Sequence, residues 1–322
     1  MELKNKTVLI TGANGLVGFP TVKKCLDHGA WRVIAVDIKT DNLKTITDPR
    51  LIVKQADLTY LDICETLFQD IKVDIVLHLA GIKGSPSRAK TRPADYLFPM
   101  LMFNTNMIQA AFDAEVDWFV YMSSVGVYQP SDVMEEDSVW TTMPSSNDWY
   151  PGWTKRMGEL SLEALAVQYG WKNWTIIRPA NIYGLNDNFG PDATVIGSNI
   201  WKVFETGGNE ITCWGDGSPK RDFVFSEDVA DAAITAVKKQ INDVINFGSA
   251  TATSIKDTVE IIVQEYEKIT GKSYTIKWDK TKPNGDMIRR LDPTKQIKYS
   301  ILPDTSLREG IHKTIKNYKD SI

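Results

Sequence analysis

Thr7-Val8-Leu9-Ile10-Thr11-Gly12-Ala13-Asn14-Gly15-Leu16-Val17-Gly18 reads as a strand, a glycine corner and the start of a helix. Its first five residues are β-branched or aliphatic, the composition of a parallel strand covered on both faces. Three glycines at spacing G-x-x-G-x-x-G then lead into an amphipathic run over residues 17–28. Gly12 permits the tight turn, Gly15 lets a diphosphate approach the backbone, and Gly18 lets helix and strand pack closely, with the helix N-terminus facing the negative charge. The same triplet could be a structural turn and nothing more. A second signal separates the two: the apolar run Trp31-Arg32-Val33-Ile34-Ala35-Val36 ends in Asp37, where a carboxylate could hydrogen-bond an adenosine ribose. Together they predict a dinucleotide-binding corner, with Gly12, Asn14, Gly15, Leu16 and Val17 around the diphosphate and Asp37 at the ribose.

Composition narrows the remaining classes. The 322 residues suffice for one large domain or two unequal ones. With 37 basic against 41 acidic residues and no basic tract, nucleic acid is not an expected partner. Cys25, Cys64 and Cys213 form no C-x-x-C pair, so neither a disulfide framework nor a zinc site is indicated; Cys25 and Cys64 read as core thiols. His28, His78 and His312 give little support to a metal centre or a Ser-His-Asp triad, and no metal is expected. His78, inside an apolar run, reads as a core histidine. No apolar run approaches the ~18 residues that cross a bilayer, and only a short polar lead precedes the first strand, so a cytoplasmic protein without a membrane partner is expected.

Strand and helix go on alternating along the chain. Residues 51–54 read as a strand, 60–69 as a helix, 73–79 as a strand, 94–114 as a long helix and 118–122 as a strand. Ala80-Gly81 closes the strand at 73–79 with small side chains where backbone must meet a ligand. Right-handed crossovers then give an α/β fold, a doubly wound parallel sheet of the Rossmann type with ligands at the carboxyl ends of its strands. The glycine corner, Asp37, Asp57, Ala80 and Ser123 all fall at those ends. Two later blocks carry chemistry. Met122-Ser123-Ser124-Val125-Gly126-Val127-Tyr128 brings hydroxyls to a strand end, and Tyr150-Pro151-Gly152-Trp153-Thr154-Lys155 opens a helix over 154–169. Lys155 there could hold a nicotinamide ribose and lower the pKa of a nearby phenol, letting a tyrosine shuttle a proton. Taken singly, Ser123 and Ser124 read as turn caps and Lys155 as a solvated helix face.

Together these blocks resemble the extended short-chain dehydrogenase/reductase family of sugar-nucleotide epimerases, dehydratases and reductases, over nearly the whole chain. Thr11 and the three glycines fit T-G-x-x-G-x-x-G; Ala56-Asp57-Leu58 is similar to the adenine-contacting D-L block; His78-Leu79-Ala80-Gly81 fits H-x-A-A/G. Arg178-Pro179-Ala180-Asn181-Ile182-Tyr183-Gly184 fits R-P-x-N-x-Y-G, and Trp214-Gly215-Asp216-Gly217-Ser218-Pro219-Lys220-Arg221-Asp222-Phe223 fits W-G-x-G-x-x-x-R-D-F. Ala80-Gly81-Ile82-Lys83-Gly84, Asp187-Asn188-Phe189-Gly190-Pro191 and Arg289-Arg290-Leu291-Asp292 are similar to blocks of the GDP-L-fucose synthase group. The resemblance implies an NAD-binding Rossmann domain over 1–182, with a return segment near 224–248, and a smaller C-terminal α/β substrate domain over 183–322. It adds Asp57, Leu58, Leu79, Ala80, Gly81, Lys155 and Pro179 to the cofactor set. A sugar nucleotide would be held by Lys83, Ser124, Asn181, Asn188, Arg221 and Arg290, the arginines on its diphosphate. The bland alternative for Arg221 is a surface ion pair with Asp222 or Asp228.

The chain departs from the family pattern in two places. The family's catalytic pair is Y-x-x-x-K, but four residues before Lys155 stands Pro151, and Tyr150 comes one residue early. Tyr150 is assigned the proton shuttle, with Lys155 and Ser124 beside it; failing Tyr150, the part falls to Ser124, Tyr128 or a substrate hydroxyl. Secondly, Gly126 and Thr194 stand where fucose synthases carry a Cys and a His, and Val125-Gly126 stands where 4,6-dehydratases carry Asp-Glu. None of these can act as acid or base at neutral pH. What remains is hydride chemistry at one sugar carbon. Asp37 would repel a 2′-phosphate, so NAD is favoured over NADP, Lys39 nearby notwithstanding. The expected activity is an NAD-dependent epimerisation of a sugar nucleotide at C4; the alternative is an NAD(P)H-dependent 4-keto-sugar-nucleotide reductase. A chain that has lost catalysis and only senses dinucleotide is the reading from another class. The resemblance also implies a homodimer, formed through the helices containing residues 100–111 and 154–169.

Overall fold

The computed structural model describes residues 1–322 apart from the side chain of Pro86. The first half alternates as the hydrophobic periods require: β1 (Thr7–Thr11), α1 (Gly18–Asp27), β2 (Arg32–Asp37), β3 (Leu51–Gln55), α2 (Leu61–Thr66), β4 (Ile75–His78), α3 (Pro86–Thr91), α4 (Ala94–Asp113), β5 (Trp118–Met122), α5 (Trp149–Tyr169) and β6 (Trp174–Pro179). The second half runs β7 (Asn181–Tyr183), α6 (Val195–Glu205), β8 (Glu210–Trp214), β9 (Lys220–Phe225), α7 (Ser226–Lys239), β10 (Val244–Phe247), β11 (Ala252–Ser254), α8 (Ile255–Thr270), β12 (Thr275–Asp279), β13 (Ile288–Arg289), α9 (Thr294–Lys298) and α10 (Leu307–Ser321).

Seven strands form the main sheet in the order β10-β6-β5-β4-β1-β2-β3, every pair parallel. All of β1 is buried because both faces are covered. Successive side chains point to opposite faces, so Val8 and Ile10 pack with Val22, Val229 and Ala233 of α1 and α7, whereas Leu9 packs with the layer of Met107 and Leu162 from α4 and α5. From β1 the chain builds outward through β2 and β3, then crosses to β4 on the other side of β1. That reversal opens a crevice beyond the carboxyl ends of β1 and β4, the topological position where such sheets bind ligands.

Ala180 alone separates β6 from β7, and its amide donates to Phe247 O at 2.8 Å. β7 belongs to a second, smaller sheet, pairing in parallel with β9, which also carries β11 and β13; β8 and β12 pair separately. α6, α8 and α10 cover this part through Ile200, Ile262 and Ile311. α7 and β10 return to the main sheet, where Val244 to Phe247 lie beside Ile176 to Pro179.

The helix opened by the Tyr150-Pro151 block begins at Trp149, not at residue 154. Pro151 falls inside the first turn, where the backbone N–H it lacks would have no intrahelical partner. Lys155 therefore sits nearly two turns into α5, deeper than the sequence suggested.

Candidate active site

The crevice is one continuous cleft of about 1380 Å³ that runs from the main sheet to the second one. At its first end lie Gly12, Asn14, Gly15, Leu16 and Val17, with Asp37. Gly12 has φ +65°, and a Cβ on it would stand 2.8 Å from the Ala80 Cα; a Cβ on Gly18 would collide with the Gly12 carbonyl. A side chain at Gly12 would push the corner off the end of β4, and one at Gly18 would push α1 off the corner, so both glycines are required for the close packing that holds the backbone at the mouth of the cleft. Asp37 accepts hydrogen bonds from the amides of Asn14 at 3.0 Å and Lys39 at 3.1 Å. Asn14 in turn accepts from the amides of Asn42 and Leu43 through Oδ1, which ties the corner to the turn beyond β2.

The middle of the cleft is lined by Leu79, Ala80, Gly81, Ser124, Lys155 and Pro179. Lys155 is buried, donates to Ala80 O at 3.1 Å and lies over the Tyr121 ring at 5.0 Å. Burial lowers its pKa to about 7, with the Glu159 charge pulling the other way. The Ser124 hydroxyl accepts from the Gly126 amide at 3.0 Å, so it caps the turn at 125–127 while facing the cleft. Ser123 is committed elsewhere: it donates to Glu159, which is ion-paired with the buried Arg178 at 2.7 Å. His78 is fully buried; its Nδ1 accepts from Thr11 Oγ1 at 2.7 Å and its Nε2 donates to Asn104 Oδ1 at 3.0 Å. Desolvation, then the Lys155 charge, hold it neutral with a pKa of about 3. It is a core histidine that fixes the end of β4.

At the far end stand Lys83, Asn181, Asn188, Arg221 and Arg289. Lys83 donates to Ile182 O at 3.0 Å and to Asp187, whose other oxygen is buried and without a partner among the described residues. Asn181 donates to Asp222 O at 2.8 Å. Arg289 is buried and ion-paired with Asp148 and Asp286, whereas Arg221 is half-buried and among the described residues has only the Lys220 carbonyl as acceptor. Burial, reinforced by the Arg289 charge, brings the Arg221 pKa down to about 10. Arg221 makes no ion pair with Asp222 or Asp228; those carboxylates accept from Ser249 and Thr305. A guanidinium held in place with its donors unspent suits a doubly charged ligand.

Five site candidates named from the sequence, Tyr150, Tyr128, Asp57, Leu58 and Arg290, do not line this cleft; Tyr128 is buried and donates to Asn246 Oδ1 at 2.6 Å. Tyr150 is half-buried outside it, and Pro151, the next position round the helix, faces it instead. Asp57 is exposed and caps Thr59, while Leu58 points into the core beside Cys64. Arg290 gives way to Arg289: β13 ends at Arg289, which lines the cleft, and Arg290 lies just beyond the strand and does not. Sequence reading missed Arg289 with its acids, Asp148 and Asp286, and also Tyr96, which lines the cleft from α4. The Arg289-Arg290 pair was legible as a block; choosing between the two needed the register of β13 on β9.

A dinucleotide cradle at the main sheet and an arginine-bearing wall facing it are the layout of an extended short-chain dehydrogenase/reductase. The chain belongs to the NAD dependent epimerase/dehydratase family, whose model matches residues 8–248. It is 27% identical to GDP-L-fucose synthase 1 of Arabidopsis thaliana, covering 100% of this chain and 96% of that one. In fold it is similar to the UDP-glucose 4-epimerase of Thermotoga maritima solved with UDP-glucose, at TM-score 0.84 and 24% identity over 98% of this chain and 99% of the other. It is similar too to the GDP-mannoheptose C4 reductase of Campylobacter jejuni solved with NADP, at TM-score 0.81 and 21% identity over 98% of each.

Proposed function

We propose that the chain is an NAD-dependent epimerase of a sugar nucleotide, inverting C4 by reversible oxidation. The observation that carries this reading is the unbroken cleft of about 1380 Å³ whose lining runs from Asp37 at the glycine corner to Arg221 on the second sheet. NAD, when bound, supplies an acceptor for a hydride and returns it. Gly12, Asn14, Gly15, Leu16 and Val17 hold its diphosphate and Asp37 its adenosine ribose, where the carboxylate disfavours a 2′-phosphate. Leu79, Ala80, Gly81, Pro179 and Lys155 enclose its other end. Arg221, Asn181, Lys83 and Asn188 grip the sugar nucleotide, with Arg289 behind them. Ser124 and Lys155, the polar groups between the two ends, handle the proton of the reacting hydroxyl. Gly126 and Thr194 both line the cleft and neither is an acid or base, so the carbons beside the reacting one keep their protons.

The reading is tested by incubating the protein and NAD with UDP-glucose, UDP-N-acetylglucosamine or GDP-mannose and following the anomeric proton signals. A second anomeric doublet growing to a constant ratio is expected; spectra unchanged for every sugar nucleotide would sink the proposal. The alternative is a 4-keto-sugar-nucleotide reductase, supported by the whole-length similarity to a GDP-L-fucose synthase. NADPH consumption driven by a 4-keto-6-deoxy sugar nucleotide, with no epimerisation, would establish it over the first.

Residues 183–322 form the substrate unit in this proposal, and the protein works as a homodimer. Leu160, Ala164 and Val167 make an exposed stripe on α5, beside exposed Phe98 and Met102 on α4, the pattern of an unpaired helix face. Three free, buried thiols suit the reducing cytoplasm.

A further inference from the structure

Tyr96 lines the cleft from the first turn of α4 and is 2% exposed, and its hydroxyl has no hydrogen-bond partner among the described residues. That is unusual for a buried phenol, since an unpaired hydroxyl loses its water and gains nothing in return. The other tyrosine lining the cleft, Tyr183, is satisfied by donating to Leu307 O at 3.2 Å. Gly84, in the loop after β4, packs directly beside the Tyr96 oxygen, and a Cβ there would collide with it.

The position is also informative. β4 and β5 are parallel, so α4 and α5, which return from them, run side by side in the same direction. Their register is marked by the Thr154 hydroxyl against Met100 Sδ at 3.7 Å. One turn upstream of Met100 is Tyr96; one turn upstream of Thr154 is Pro151, which faces the cleft without any polar group. A phenol is thus offered to the cleft from the neighbouring helix, at the level where α5 offers none, and helical side chains lean toward the N-terminus, here toward the ligand.

We infer that Tyr96 is a further substrate-positioning residue, whose hydroxyl hydrogen-bonds an oxygen of the sugar ring of a bound sugar nucleotide. The inference rests on the proposed function, which supplies the sugar nucleotide. Its test is Tyr96→Phe, compared with the wild type in the presence of saturating NAD, by calorimetric titration with UDP-glucose, GDP-mannose, UDP and GDP and by thermal unfolding. The variant should keep the wild-type affinity for the nucleoside diphosphates and lose roughly 3- to 10-fold for the sugar nucleotide that the wild type prefers, the worth of one hydrogen bond. Its melting temperature without sugar nucleotide should be unchanged or higher, because a phenylalanine leaves no polar atom unpaired. Equal sugar-nucleotide affinities in the two proteins would overturn the inference and leave the proposed function standing. A lower melting temperature with unchanged binding would make Tyr96 structural and overturn it too. A wild type that binds none of these sugar nucleotides would count against the proposed function and, with it, this inference.

Discussion

Burial and function pull Lys155 in opposite directions. In the proposed function its ammonium is needed near a ribose and a reacting hydroxyl, yet the packing that aims it at Ala80 O also strips its water and lowers its pKa from 10.5 to about 7. Between those values the unfolded chain holds a proton that the folded chain has released, so this lysine's contribution makes stability rise with pH. Below about pH 7 both states are protonated and the desolvation penalty is felt in full. The melting temperature of the wild type relative to Lys155→Met should therefore climb from pH 7 to pH 10; a difference that stays flat with pH would show that the amine is not displaced. A second expectation concerns Tyr150. Its ring lies outside the cleft, so Tyr150→Phe should leave turnover within about twofold, whereas loss of a proton shuttle costs about 100-fold or more. A loss of the larger size would restore Tyr150 to the reaction. At this scale membership of the cleft was legible where chemistry restricts the residue type, as at Gly12, Asp37 and Lys155. It was not legible where neighbours of similar type compete, as with Arg289 and Arg290, because only the pairing of Arg289 with Arg221 in β9, where β13 ends, tells them apart.

Among the elements, the glycine corner and α5 behaved differently under the same kind of reading. β1 and the corner announce themselves because a strand buried on both faces and a turn at positive φ leave few residue choices. The start of α5 does not, because proline is as acceptable in a first turn as before one, and the sequence pattern fits both. Helix α1 meets the corner so closely that Gly18→Ala would press its methyl on the Gly12 carbonyl and the Ala13 Cα. The variant should lose about 1–3 kcal/mol of stability in urea unfolding and bind NAD more weakly, both through the same shift of α1. Wild-type stability and NAD affinity in Gly18→Ala would mean that the corner is slack.

For the whole molecule, the untitrated quantity is what α4 and α5 meet on their outer side. Val167 is 82% exposed at the end of a stripe that nothing among the described residues covers. Sedimentation velocity should give a dimer for the wild type and a monomer for Leu160→Glu/Val167→Glu, with the monomer still folded; a wild type sedimenting as a monomer removes the homodimer. The main parallel sheet was legible in the alternation of strand and helix periods, whereas the smaller C-terminal part came only from the resemblance; R-P-x-N-x-Y-G turns out to span the passage from the main sheet to the one that holds β7. The junction was narrower than a chain boundary drawn at residue 183 implies, because Asn181 already pairs with Phe223 in the second sheet. Pro179 faces the nucleotide end, Asn181 the opposite wall, and the single residue between them is clamped to Phe247 through its amide. If a dinucleotide and a sugar nucleotide occupy the cleft as proposed, the spacing between them is accordingly written into a tripeptide: widening it would break the bond of the Ala180 amide to Phe247 in β10.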